Sequence, residues 1–154
     1  MTSLNLWFNM VKENLPRFIE EMKSDKKGKY RFAYEGDYEY GEKDWGLTNT
    51  VYATKLMYML NSKNLLEESN EDIHKFILKF SRPNGEISDN LIKRQSIYNR
   101  VFTSIKTRDL NNLLNEQTRR AETRQSTAAL LCLGQSPKYD YKLLDVNKQL
   151  INSY

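Results

Sequence analysis

The chain has 154 residues, with 24 Lys and Arg against 20 Asp and Glu and a net charge of +4. That is long enough for one domain with a real core, and too evenly charged to demand an acidic partner. Its single cysteine excludes an internal disulfide, and no run approaches the roughly 18–20 apolar residues of a membrane span.

The setting of Cys132, Ala128-Ala-Leu-Leu-Cys-Leu133, reads as core packing. With no basic–apolar–small order of a secretory signal at the start, a cytoplasmic location is expected. Ten tyrosines suit half-wet walls as well as cores.

Leu6, Trp7, Met10, Val11, Leu15, Phe18, Ile19 and Met22 recur at three- and four-residue steps, the stripe of an amphipathic helix. Pro16 either kinks it or stands in the first turn of a second piece capped by Asn14. Residues 30–44 alternate aromatic and polar side chains around Gly36 and Gly41, which predicts an ordered loop or a short hairpin.

Leu47 to Asn61 is apolar on nearly every side, so a helix surrounded by others is expected there. Ser69 or Asn70 is placed to cap a third helix that buries Ile73, Phe76, Ile77 and Phe80 and stops at Arg82-Pro-Asn-Gly85. A fourth helix is predicted from Ser88 or Asp89 to Thr107, burying Leu91, Tyr98, Val101, Phe102 and Ile105. A short helix behind Asp109, a second apolar helix from Thr123 to Leu133 ending at Gly134, and a last amphipathic one over 143–151 complete the chain. The sum is a single all-α domain over 1–154 with about seven helices.

Striped helices alternate with apolar ones, and the turns echo each other. Phe18-Ile19 leads to Ser24 and Gly28 as Phe76-Ile77 leads to Ser81 and Gly85. Repeats of this size point to stacked helix pairs. In its turn Arg82-Pro-Asn-Gly-Glu-Ile87 and its helix start Gln125-Ser-Thr-Ala-Ala-Leu-Leu-Cys-Leu-Gly134, the chain resembles the α/α toroid proteins, among them terpenoid cyclases and protein prenyltransferase β-subunits. The resemblance implies helical hairpins forming about half a toroid, standing alone, heading a larger toroid, or completed by a second copy. It does not imply the family's activity. The aspartate-rich motif of the cyclases is absent, and the zinc ligands of the prenyltransferases have no counterpart around His74 and Cys132.

Three function classes follow. A non-catalytic module binds a ligand or protein partner through a concave face of Tyr34, Tyr38, Trp45, Asn49, Tyr52, Arg120 and Arg124. An enzyme acting on a glycan or isoprenoid uses Glu35, Asp37 or Glu122 as acid or base, since paired carboxylates divide those roles when their surroundings differ. A nucleic-acid-associated protein uses the basic patch Lys93, Arg94, Arg100, Lys106 and Arg108, which has no carboxylate between Asn90 and Arg108. No metal site and no cofactor are expected, because zinc needs three or four Cys, His or carboxylate ligands.

Overall fold

The computed structural model describes residues 3–34, 39–40, 43–44, 46–90, 97–108, 110 and 116–141. They form an all-helical domain of five α-helices: α1 (Ser3–Glu21), α2 (Leu47–Met59), α3 (Lys63–Leu78), α4 (Ile97–Thr107) and α5 (Glu116–Cys132). Between α1 and α2 a minimal hairpin pairs β1 (Glu39–Tyr40) with β2 (Lys43–Asp44), antiparallel, Glu39 opposite Asp44. The helices expected over 109–114 and 143–151 lie mostly or wholly outside the described residues. None of the described helices is long and apolar enough to cross a membrane.

The core is built on α2, which packs chiefly on α5 and α3. Leu47, Val51 and Met57 from α2 meet Ile73 and Ile77 from α3 and Ala129 and Leu130 from α5, with Ile19, Tyr30 and Ile87 closing the cluster. These side chains are withdrawn from water almost completely, and each Val, Leu, Ile or Met among them adds about 1.5–3 kcal/mol of transfer free energy.

The internal echo of the sequence is structural. After α1, Lys23 bridges Tyr30 across a turn, and after α3, Ser81 bridges Ile87 in the same way. Each turn contains a glycine with positive φ, Gly28 at +74° and Gly85 at +81°. In each, the residue after the turn leans on a threonine of an inner helix: Tyr30 N–H donates to Thr50 Oγ1 at 3.1 Å, and Ile87 N–H to Thr123 Oγ1 at 3.1 Å. One turn further on, Thr54 and Thr127 donate back to the carbonyls of Thr50 and Thr123.

The two inner helices also end alike. Asn61 and Gly134 adopt positive φ, and the next amide reaches five residues back, Ser62 to Met57 O and Gln135 to Leu130 O. Thus α1–α2 and α3–α5 share the same turn, threonine and helix-end contacts. They differ in the link between turn and inner helix, 36 residues from Ile87 to Thr123 against 20 from Tyr30 to Thr50. The longer link contains α4.

Several expectations are corrected. The α1 helix runs unbroken through Pro16, with Asn14 donating to Met10 O within it rather than capping a new piece. Only its C-terminal end is buried, and Leu4, Leu6, Trp7, Phe8 and Met10 face water. Helix α3 starts at Lys63, not at Ser69 or Asn70. Tertiary contact claims those two instead: Ser69 is buried, and Asn70 Nδ2 donates to Leu133 O at the end of α5. Ile87 and Asp89 are drawn onto α5 by Thr123 and Glu122, and residues 91–96, over which the fourth helix is expected to start, lie outside the described residues.

The stripe of α4 is inverted relative to expectation, with Tyr98, Val101, Phe102 and Ile105 exposed and Ser104 buried. Finally, α2 and α5 are not enclosed on all sides. Tyr52, Tyr58, Met59 and Leu131 are more than half exposed, because the described elements cover one broad face of each helix and leave the other open.

Candidate functional site

Along the seam between α2 and α5 lies an open cavity of about 230 Å³. Its walls are mainly apolar, from Leu47 and Val51 on one helix and Ala121 on the other, with Thr48, Tyr52, Thr118, Glu122, Gln125 and Ser126 supplying polar edges. Small residues at 121 and 126 create the space. Neither fills the gap that a leucine, the prevailing apolar residue of this stretch, would close.

Two polar contacts tie the seam. Thr48 Oγ1 donates to Glu122 Oε1 at 2.7 Å, and Lys55 Nζ donates to Gln125 Oε1. The other oxygen of Glu122 accepts from the Asp89 backbone N–H at 2.7 Å. One carboxylate therefore joins α2, α5 and the extended segment that follows the second turn. Burial pushes the Glu122 carboxyl above its ordinary value, and the charges of Asp89 and Glu86 add to this, against the two hydrogen bonds that favour its ionised form.

Next to it, Glu86 is anchored differently. Arg119 grips it through Nε at 2.7 Å and through Nη2, Ser88 Oγ donates to it, and Arg82 Nη1 stands 3.5 Å away. Burial alone would raise its pKa, but these partners overcome that and bring it from 4.5 down to about 2.

No protein-family model, curated protein or solved structure matches this chain.

Of the residues singled out in the sequence, Tyr52 and Glu122 meet at the α2–α5 cavity. Asn49 lies round α2 from them. With Tyr52 again, it lines a second hollow of about 170 Å³ against Ile19, Met22 and Phe32. Tyr34 rests on Phe18, ring centroids 5.8 Å apart, on the α1 side. Arg120 and Arg124 are exposed one turn apart on α5 and take no part in the cavity wall.

Glu35, Asp37, Tyr38 and Trp45 lie outside the described residues, as do Lys93 and Arg94. The rest of the basic patch divides. Arg100 is half-buried, and Lys106 and Arg108 are exposed. Among the described residues no group of three or more His, Cys, Asp or Glu is placed to hold a metal ion.

Sequence reasoning missed Thr48, Thr118, Ala121, Gln125 and Ser126 as cavity residues. Their signal was the run of small and polar side chains at the start of α2 and through the first two thirds of α5. Periodicity alone does not show that these two stretches stand side by side.

Proposed function

We propose that this chain is a non-catalytic helical-hairpin module of the α/α-toroid kind, and that it binds through the cavity between its inner helices. The supporting observation is an open, mostly apolar cavity at the seam of the duplicated inner helices, with hydrogen-bonding groups at its edge. A space of about 230 Å³ is smaller than the roughly 300–1,000 Å³ that encloses a drug-sized ligand. It accommodates one ring or a short aliphatic chain, so the occupant is the apolar end of a larger ligand or a side chain presented by a partner. Tyr52, half-exposed at the rim, supplies an aromatic wall, and Gln125 an amide.

The non-catalytic reading is favoured over the acid–base one by the state of Glu122. Both its oxygens are occupied by Thr48 and the Asp89 amide, so it acts as a joint between elements. A general acid or base must reach the proton it moves.

The test is an amide-resolved NMR screen of small apolar fragments against the whole chain, repeated on Ala121→Trp, which fills the cavity. Shifts confined to Thr48, Tyr52, Thr118 and Gln125 in the parent chain, and lost in the variant, are expected. Fragments that bind equally to both proteins, or that perturb none of these amides, would sink the proposal.

A further inference from the structure

A separate surface points to a different kind of partner. The helix α4 lies in the longer of the two turn-to-inner-helix links, so the duplicated hairpin folds without a counterpart to it in the first copy. Insertions in repeat proteins sit on one face, and that face is often the binding one.

The helix is mounted with its apolar side outward. Tyr98 is 81 % exposed, Phe102 68 %, Ile105 72 % and Val101 40 %, while Ser104 is turned in and 4 % exposed. Positions 98, 101, 102 and 105 form one continuous stripe. Lys106, one turn on from Phe102, and Arg108, which ends the helix with φ +54°, flank it with exposed positive charge. No carboxylate occurs from Ile97 to Arg108.

We infer that α4 is an interfacial helix that lays its Tyr98–Val101–Phe102–Ile105 stripe on an anionic lipid surface, with Lys106 and Arg108 reaching the headgroups. Area decides for lipid over a protein partner. The stripe offers roughly 500 Å² of apolar surface, less than the ~800 Å² per partner of a stable protein interface. An in-plane helix needs only such a stripe, a few aromatic or aliphatic side chains, and basic residues opposite anionic lipid. Nucleic acid is disfavoured because the outermost side chains of α4 are apolar and phosphate contacts need the charges foremost.

The experiment is flotation of the full chain with vesicles of phosphatidylcholine alone and of phosphatidylcholine with about 30 % phosphatidylserine. The double variant Phe102→Asp/Ile105→Asp and the double variant Lys106→Glu/Arg108→Glu are run beside it. All four positions are exposed, so unchanged circular dichroism and thermal midpoint are expected in both. The parent chain should float with the anionic vesicles only. Either variant should weaken binding at least ~10-fold, and about 0.5 M salt should release much of the parent chain.

No flotation with anionic vesicles overturns the proposal. So does flotation that both variants leave intact, which moves binding to another face such as the exposed start of α1. Self-association in light scattering that Phe102→Asp/Ile105→Asp abolishes, without vesicle binding, would assign the stripe to a second copy. Binding of a single-stranded oligonucleotide lost with Lys106→Glu/Arg108→Glu, again without vesicle binding, would assign it to nucleic acid.

Discussion

Two buried carboxylates, Glu86 in the second turn and Glu122 bonded to the segment that follows it, respond to pH in opposite senses. Glu86 is held below its ordinary value, so the stabilisation it brings is complete above pH 4.5 and fades as the pH falls toward 2. Glu122 is held above its ordinary value, so its contribution is complete below 4.5 and is lost as the pH rises through its folded value. Urea unfolding at a series of pH values should therefore show a falling acid limb that Glu86→Gln flattens, and a decline above pH 4.5 that Glu122→Gln flattens. With Arg82 and Arg119 about a quarter exposed, the Glu86 cluster contributes roughly 1–3 kcal/mol after screening. Arg119→Ala should cost more than Glu86→Gln, about 3 kcal/mol, because among the described residues it leaves the buried carboxylate with only Arg82 as a cation partner. Thr123→Val should cost about 1–3 kcal/mol, since the buried Ile87 amide then has no acceptor. An equal stability of Thr123→Val and the parent chain would refute the view that this hydroxyl anchors the second turn.

At the scale of elements, the two turns are built on glycine for two reasons at once. Positive φ strains any other L residue by about 1–2 kcal/mol. A Cβ on Gly28 would lie 2.1 Å from the Asp72 carbonyl oxygen in α3, and one on Gly85 would lie 2.1 Å from the Asp140 carbonyl oxygen. Each turn therefore abuts the backbone of the chain that follows its hairpin. Gly28→Ala and Gly85→Ala should each lower stability by more than the backbone strain alone, over about 2 kcal/mol, seen as a clear fall in the thermal midpoint. Gly134→Ala serves as a control. It has the same backbone sign but open space around it, and should cost only about 1 kcal/mol. The glycines themselves were legible as turn signals in Pro83-Asn-Gly85 and Lys27-Gly28. Their close packing was not, because it depends on residues 44 and 55 positions further along the chain.

For the whole molecule, much of the described apolar surface open to water lies on α2 and α5, at the start of α1 and on α4. A ring completed by two copies would bury Tyr52, Tyr58, Met59 and Leu131, whereas binding through α4 needs no second copy. Light scattering across a concentration series separates these. A dimer that survives Phe102→Asp/Ile105→Asp excludes the α4 stripe as its contact, and only dissociation by Tyr58→Glu/Met59→Glu would then place that contact on α2 rather than on the start of α1.

The all-helical class and the glycine turns were legible in the sequence. Period, capping and φ preference are local properties, carried by residues within a turn or two of each other. The tertiary structure alone decided which stripe is covered. The stripes of α3 and α4 read alike along the chain, yet Ile73 and Ile77 lie under α2 and α5 while Phe102 and Ile105 face water. The same holds for the candidate site. Thr48 and Glu122 are 74 positions apart and meet because α2 packs on α5. Hydrophobic periodicity tells which side of a helix avoids water, but only the arrangement of the other elements determines whether anything is there to shield it.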